Sequence, residues 1–281
     1  MPGADRGRSV AAMPATITPT SGTRLHYDER GSGAPILCVH GTGSGAFAWA
    51  PAIPELARRG RVISYDRRGF PRSRSAEAGR TVSVAEHADD AAALLHALDA
   101  TPAVVIGRSY GGSVAIDLAL RYPAYVRALV LLEGVPESLD PEAERWVRGV
   151  AERTLAAGER GPAAAAESLF RQVLGDEGWS GLDHETRRRF LDNGPAILAE
   201  LSGGWLPDIR PVDLGRIGKP TLLVAATDSP PAFRRVHDVA AAAMPDARTA
   251  MVGGGHLIDP AGPAVLAFLE EVTASAAGGS R

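Results

Sequence analysis

Short apolar runs alternate along the chain with segments in which apolar residues recur at every third or fourth position. The nearly continuous apolar runs predict strands that are buried on both faces, and the longer spacing predicts amphipathic helices. The predicted strands are 25–28, 36–40, 62–65, 103–106, 126–132, 221–225 and 248–252, and the predicted helices are 49–58, 84–98, 113–121, 232–243 and 264–273. Strands that alternate with helices in this way predict an α/β fold with a mostly parallel, doubly wound sheet.

The segment 137–210 breaks this alternation. It is helical and polar in pattern, and prolines and glycines interrupt it repeatedly. We interpret it as a helical cap that is inserted into an α/β core comprising residues 16–136 and 211–276. The small and polar residues 1–15 predict a disordered tail.

Composition and charge limit the classes of molecule that the chain could bind. The chain has 281 residues, a net charge of -3 and no basic cluster, which argues against a nucleic-acid partner. No apolar stretch approaches the roughly 20 residues needed to cross a bilayer, so no membrane partner is expected. The single cysteine, Cys38, lies in an apolar run, which excludes an internal disulfide and favours a cytoplasmic location. We therefore expect a small-molecule substrate, and the cap could mediate a homodimer.

The most informative motif is a G-x-S-x-G sequence centred on Ser109. It follows the predicted strand 103–106 and precedes the predicted helix 113–121, which is the context of a nucleophile elbow. Glycines on both sides of the serine allow the backbone to turn sharply, and the start of the helix stabilises negative charge beside the hydroxyl. The pattern therefore predicts that Ser109 is a nucleophile.

Together these features resemble the α/β-hydrolase superfamily over most of the chain. The sequence 40–43, directly after a strand, is similar to the oxyanion loop of that family, and 65–73 is similar to the turn after its fourth strand. The glycine-rich sequence 253–256 is similar to its histidine loop. The resemblance implies an α/β-hydrolase fold, and it implies an oxyanion hole formed by the backbone amides of Thr42 and Tyr110.

A serine hydroxyl becomes strongly nucleophilic only when a neighbouring base accepts its proton, and imidazole does so near neutral pH. The histidine loop makes His256 our candidate for this base. His40 opens the oxyanion loop, and we expect its ring to hydrogen-bond to the loop backbone. The other histidines lie in strand or helix patterns and are interpreted as surface or packing residues.

Two carboxylates could orient the base. Glu133 follows the strand after the elbow, and in haloalkane dehalogenases and zearalenone-type lactonases, which share this fold, the acid comes from that strand end. Asp228 follows the strand that usually supplies the acid, but the usual family spacing aligns Ser229 with the acid and leaves Asp228 one residue early. We favour Glu133 and keep Asp228 as the alternative. Arg108 is expected to pair with a carboxylate.

The predicted site therefore consists of Ser109, His256 and Glu133 or Asp228, with Gly41 and Trp205 as candidate substrate-binding residues. The resemblance implies a serine hydrolase that cleaves a small or medium ester or lactone through an acyl-enzyme, without a cofactor. No metal-ligand pattern is evident in the sequence, so no metal site is expected. Carbon-carbon bond hydrolysis, perhydrolase chemistry, and a nonhydrolytic receptor or biosynthetic cyclase remain open. Relatives with an aspartate nucleophile are disfavoured because the elbow presents serine.

Overall fold

The apolar runs of the sequence become the strands of one twisted sheet. In the computed structural model, which describes residues 15–18, 23–73 and 81–277, the sheet has eight strands in the order β1-β2-β4-β3-β5-β6-β7-β8. The strands are β1 (Ala15–Ile17), β2 (Leu25–Arg30), β3 (Pro35–Val39), β4 (Arg61–Tyr65), β5 (Ala103–Arg108), β6 (Val126–Leu132), β7 (Thr221–Ala226) and β8 (Ala247–Val252). β2 is antiparallel to β1 and β4, and all pairs from β4 to β8 are parallel.

Ten α-helices and four short 3₁₀ turns surround the sheet in the described part of the chain. The helices are α1 (Ile53–Leu56), α2 (Val84–Ala97), α3 (Tyr110–Arg121), α4 (Pro141–Gly158), α5 (Pro162–Gly181), α6 (His184–Asp192), α7 (Gly194–Leu201), α8 (Pro211–Leu214), α9 (Pro231–Ala243) and α10 (Pro263–Ala277). The 3₁₀ turns are Ala46–Trp49, Pro71–Ser73, Pro123–Tyr125 and Glu137–Leu139. No helix within the described residues is long and apolar enough to cross a membrane.

Alternate residues of the central strands enter two hydrophobic cores, one on each face of the sheet. Leu37 and Val105 pack on one side with residues of α2, α3 and α9, while Ile36 and Val104 pack on the other side with residues of α10. The side chains of a strand point alternately to the two faces, so a strand that is covered on both sides must be apolar throughout. This arrangement confirms the predicted mostly parallel, doubly wound sheet.

Helices α4 to α7 form a separate layer between β6 and β7 in sequence, inside the segment 137–210 that we interpreted as a cap. Their aromatic residues make a third cluster, in which Phe170 stacks on Phe190 and on Trp179. The layer is held on the core partly by Asn193, whose Nδ2 donates to the carbonyl oxygens of Gly43 and Ser44 at 2.9 and 2.8 Å. The cap helices therefore lie directly over the loop that follows β3.

The predicted helix 49–58 is wrong in extent. The structure has a 3₁₀ turn at Ala46–Trp49 and then only the short helix α1. Pro51 and Pro54 explain the interruption, since proline lacks a backbone N–H and its ring clashes with the preceding turn of a helix.

Two further boundaries differ from the sequence prediction. Ala15, which we included in the disordered tail, is the first residue of β1, and residues 1–14 of that tail lie outside the described residues. Helix α3 begins at Tyr110 rather than at residue 113, because Ser109 itself is the residue that precedes the first turn. The strand and the helix of the elbow are therefore separated by this single residue.

Candidate active site

Ser109 lies at a strained turn between β5 and α3, with φ 52° and ψ -130°. A residue with a Cβ rarely adopts this conformation, which must be held by its surroundings. A Cβ on Gly107 would lie 2.5 Å from the Gly111 carbonyl oxygen, and one on Gly111 would lie 2.1 Å from that of Val39. Only glycine fits at both positions, so the G-x-S-x-G sequence is required by backbone packing as well as by the turn.

His256 follows β8 and contacts a carboxylate that follows β6. Its Nδ1 lies 2.6 Å from Glu133 Oε2, and each of the two residues is 5% exposed. The carboxylate also accepts from the backbone N–H of Ala226 at 2.9 Å and from Ser229 Oγ at 2.8 Å. These donors satisfy a charge that would otherwise be costly to bury. When Nδ1 carries the proton donated to Glu133, Nε2 is free to act as a base.

Asp228, the alternative acid, is exposed and does not contact His256. Its carboxylate accepts from Thr227 Oγ1 at 2.9 Å, and its backbone N–H donates to the carbonyl oxygen of Gly254 at 2.9 Å. Ser229 lies where the usual family spacing puts the acid, and it donates a hydrogen bond to Glu133 instead. The structure therefore brings Glu133, and not Asp228, against the imidazole.

Two adjoining pockets meet at Ser109. One lies between Ser109 and His256 and includes Gly41 and Thr42. Among the hydrogen bonds of the described residues there is none between Ser109 and His256. In structures without substrate, catalytic hydrogen bonds are often longer than in the reacting complex.

The second pocket, which we call the aromatic pocket, extends from Ser109 beneath the cap. The predicted substrate-binding residue Trp205 lines it, and Gly41 lines the neighbouring pocket. Phe233 separates the aromatic pocket from the base, since its ring stacks on His256 with centroids 4.3 Å apart. The other residues that line the aromatic pocket include Tyr110, Glu137 and Trp146.

The backbone N–H groups of Thr42 and Tyr110 belong to residues that both line the aromatic pocket beside Ser109. Within the part of the chain that the structure describes, no hydrogen bond uses either N–H group. Unpaired amides beside a nucleophile can donate to the negative oxygen that develops when it attacks a carbonyl group. The two residues that the sequence suggested as donors therefore lie beside Ser109, with backbone N–H groups that no described residue occupies.

His40 and Arg67 hold the loop that carries Thr42. His40 Nδ1 donates to the carbonyl oxygen of Gly41 at 2.9 Å, and its Nε2 accepts from the backbone N–H of Arg67 at 2.9 Å. Burial, reinforced by the charge of Arg67, lowers the pKa of His40 to about 3. The ring is therefore neutral and structural, as expected from its position in the loop.

The comparison with protein families agrees with this geometry. The model of the alpha/beta hydrolase fold family matches residues 34–258, which is most of the chain. The chain belongs to the alpha/beta hydrolase fold family. The match confirms the resemblance drawn from the motifs.

Similar proteins of this alpha/beta hydrolase family carry several hydrolase names. The chain is 33% identical over 245 residues, covering 82% of this chain and 87% of the relative, to a putative carbamate hydrolase (RutD) from Azorhizobium caulinodans. It is 40% identical to 2-hydroxymuconate semialdehyde hydrolase from a Pseudomonas species, but over only 118 residues, which is 40% of each protein.

A thermophilic esterase from Thermogutta terrifontis has a similar structure. The TM-score is 0.72 at 27% sequence identity, over 95% of this chain and 97% of the esterase chain. The comparisons therefore support a hydrolase. They do not identify the bond that is cleaved.

Sequence reasoning missed an ion pair that ties the cap to the oxyanion loop. Arg67, fully buried, donates to the carbonyl oxygens of His40 and Gly41 at 3.0 and 3.2 Å and forms a salt bridge with Glu200 of α7. His87 Nε2 lies 3.5 Å from the same carboxylate. Burial alone would raise the pKa of Glu200, but the charge of Arg67 lowers it to about 2. In the sequence, the only indication of this ion pair was that Arg67 lies in the segment 65–73, which resembles the turn after the fourth strand of the family.

The contacts of Arg108 differ from those that we expected. It was predicted to pair with a carboxylate, but none lies within salt-bridge distance among the described residues. Its guanidinium instead donates to the carbonyl oxygen of Ile258 at 2.6 Å and lies over the ring of Trp49, 4.9 Å from the centroid. Burial lowers the pKa of Arg108 to about 10. The side chain therefore holds the turn after His256 onto the core rather than forming an ion pair.

No grouping of three or more His, Cys, Asp or Glu side chains that could hold a metal ion occurs in the described ranges. Cys38 is buried, and burial raises its pKa to about 12, so its thiol stays protonated.

Proposed function

We propose that this chain is a serine hydrolase that cleaves a small or medium carboxylic ester or lactone through an acyl-enzyme intermediate. The observation that carries the proposal is the 2.6 Å contact between His256 Nδ1 and Glu133 Oε2, beside a serine on a strained elbow. A binding protein would have no need for a serine in a strained conformation or for a buried carboxylate that orients an imidazole.

In the first half of the reaction, Ser109 Oγ attacks the substrate carbonyl carbon while His256 Nε2 accepts the hydroxyl proton. Glu133 stabilises the imidazolium that forms. The N–H groups of Thr42 and Tyr110 donate to the oxyanion, and each such donor lowers the barrier by about 3 kcal/mol. The carbon-oxygen bond of the leaving group then breaks, and His256 returns the proton to the departing alkoxide.

The second half repeats these steps with water. His256 accepts a proton from water as its oxygen attacks the acyl carbon, and it then protonates Ser109 Oγ as the acyl bond breaks. The products are a carboxylic acid and an alcohol, or a hydroxy acid from a lactone.

The substrate class is supported by the shape of the site and by one relative. Apolar and aromatic side chains line most of the aromatic pocket, which suits the organic acyl or alkyl part of an ester. The esterase from Thermogutta terrifontis has a similar fold over nearly its full length.

Carbon-carbon bond hydrolysis is the second candidate. It is favoured by the 40% identity to 2-hydroxymuconate semialdehyde hydrolase over 118 residues. A serine, an imidazole and a buried carboxylate could serve either reaction, because fold and triad do not determine the bond that is cleaved.

A substrate panel tests the choice. We would measure kcat/KM for p-nitrophenyl acetate and butyrate, a simple lactone, an alkyl carbamate and a dienol-type diketone, each with Ser109→Ala as the control. We expect wild type to turn over an ester or the lactone faster than the diketone. This turnover should disappear in Ser109→Ala. Preference for the diketone would favour the second candidate, and preference for the carbamate would replace the ester class. No turnover by a correctly folded protein would favour a receptor or cyclase.

A further inference from the structure

One acidic side chain lines the aromatic pocket, and the mechanism above does not use it. Glu137 begins the 3₁₀ turn between β6 and α4, and it is partly buried. It lines the same pocket as Ser109, Trp146, Trp205 and Phe233. Glu137 therefore forms part of the wall that an occupant of the pocket would meet.

Within the described residues, the carboxyl group of Glu137 has no ion pair and no hydrogen bond to another residue. No arginine, lysine or histidine is among the residues that line this pocket. Nearby charges are already paired elsewhere, since Arg235 of α9 forms salt bridges with Asp140 and Glu142 at the start of α4. The pocket thus contains one acid without a basic partner.

Burial raises the pKa of Glu137 to about 7, and no charged residue contributes to this shift. The other titratable side chain that lines the pocket is Tyr110, whose pKa is raised far above neutrality by burial. Near pH 7 the Glu137 carboxyl group is therefore present in both forms, and a bound cation would favour the ionised form.

The chemistry around Glu137 suits a cation. A carboxylate attracts a positive charge, and the faces of tryptophan and phenylalanine rings do so as well. Three such side chains, Trp146, Trp205 and Phe233, line the pocket together with Glu137 and Tyr110. Combined carboxylate and aromatic walls favour an ammonium group over an uncharged group of the same shape, and they disfavour an anion.

We infer that Glu137 makes this site selective for substrates that carry an ammonium group, with the aromatic pocket as the ammonium-binding subsite. The inference rests on the proposed ester hydrolase function. It assigns Glu137 to specificity and not to bond cleavage.

The test uses two pairs of esters. In each pair one ester carries a trimethylammonium group and the other carries a tert-butyl group of the same shape. One pair has this group in the alcohol part and the other pair has it in the acyl part, because either part could occupy the pocket. For at least one pair, kcat/KM of wild type should be about tenfold or more higher for the cationic ester.

This selectivity ratio should rise with pH through about 7, as Glu137 ionises. Titration of His256 acts on both esters of a pair and cancels in the ratio. In Glu137→Gln, which keeps the shape of the side chain, the ratio should fall severalfold, to the smaller preference that the aromatic rings alone provide, and should lose its pH dependence. The matched control is Glu144→Gln, which removes a partly exposed acid on α4 that is paired with Arg148 and should leave the ratio unchanged.

The uncharged esters separate the possible failures. If Glu137→Gln hydrolyses them like wild type, the variant is folded and any change in the ratio reports on charge recognition. The inference is overturned, while the ester hydrolase proposal stands, if wild type hydrolyses the uncharged esters but prefers neither cationic ester. It is also overturned if the preference for the cationic ester is undiminished in Glu137→Gln. If wild type hydrolyses neither these esters nor the esters and lactone of the panel, the proposed function fails. Calorimetric titration with choline and with its tert-butyl analogue then decides the inference alone, since wild type should bind choline at least tenfold more tightly and equal binding would overturn it.

Discussion

At the scale of single residues, the site depends on where one carboxylate is placed. Glu133 has φ 43°, an uncommon value for a residue other than glycine, and its backbone N–H donates to the carbonyl oxygen of Val224 at 2.9 Å. This tie between β6 and β7 holds the side chain beneath His256. The strained backbone at both Ser109 and Glu133 is consistent with positions that are held for function.

Glu133→Gln should lower kcat by about a thousandfold or more, because an amide cannot stabilise the imidazolium and favours the wrong tautomer of His256. Asp228→Asn, a matched control that makes the same chemical change on an exposed side chain, should keep kcat within about twofold of wild type. Steady-state hydrolysis of a p-nitrophenyl ester by the two variants provides the comparison. Wild-type turnover by Glu133→Gln would remove this residue from the triad.

Substitution of Ser229 should lower kcat less than substitution of Glu133. Ser229→Ala removes one hydrogen bond to Glu133 Oε2 and leaves those from His256 and from Ala226 in place. A hydrogen bond of this kind contributes about 1 kcal/mol, so kcat should fall about three- to tenfold. Titration of kcat against pH in the same variant would check that the change acts through the His256–Glu133 pair, and an unchanged kcat would exclude such a role.

The sequence singled out one candidate nucleophile and one candidate base, but it left two candidates for the acid. Ser109 and His256 lie in local motifs whose glycines are visible in the sequence. Glu133 and Asp228 both follow strands, and chain order alone allows either one to reach the imidazole. Only the side-by-side position of β6 and β7, together with the direction of each side chain, decides between them.

At the scale of elements, the cap and the oxyanion loop are joined by polar contacts rather than by the hydrophobic core alone. Arg67 hydrogen-bonds to the loop and pairs with Glu200 of α7, while Asn193 reaches the carbonyl oxygens of Gly43 and Ser44. These contacts fix the loop that carries Thr42 relative to the cap that covers the aromatic pocket. They join residues far apart in the chain, which is why patterns of local spacing did not reveal them.

Glu200→Gln should destabilise the protein by about 3 kcal/mol or more, since it leaves the buried Arg67 guanidinium without its counter-charge. The control is Glu185→Gln, which breaks an exposed pair with Arg189 within α6 and should change stability by less than about 0.5 kcal/mol. Urea unfolding midpoints at neutral pH measure both. Equal midpoints for the two variants would mean that the buried ion pair does not stabilise the fold.

At the scale of the whole molecule, the alternation of apolar runs and helical segments sufficed to predict seven of the eight strands and the covered faces of the sheet, but it missed β1. It failed where backbone chemistry overrides periodicity, as in the predicted helix 49–58, which Pro51 and Pro54 interrupt. Periodicity also could not predict the two antiparallel pairings at the β1 edge of the sheet, because it indicates a strand without indicating the neighbour of that strand.

The buried histidines predict how stability varies with pH. Burial lowers the pKa of both His40 and His87, and for His40 the value is about 3 against 6.5 for a free imidazole. The unfolded chain therefore binds more protons than the folded chain below about pH 6.5, and stability must fall as pH decreases through this range. Each such histidine contributes a slope of up to about 1.4 kcal/mol per pH unit.

His40→Gln tests this linkage, because glutamine keeps a donor and an acceptor but does not titrate. Its free energy of unfolding should depend less steeply on pH between about 6 and 4 than that of wild type, by close to one proton. Urea unfolding at a series of pH values measures the two slopes. Parallel curves for wild type and His40→Gln would show that His40 is protonated in the folded protein as readily as in the unfolded chain.

The claim on which the account depends is that Ser109 is a nucleophile activated by His256. Labelling with a fluorophosphonate, followed by intact-mass and peptide mass spectrometry, tests it most directly. The account predicts one adduct per chain, located on Ser109, absent in Ser109→Ala and formed far more slowly in His256→Gln. A protein that hydrolyses esters yet forms no adduct, or forms it equally well in Ser109→Ala, would contradict the account.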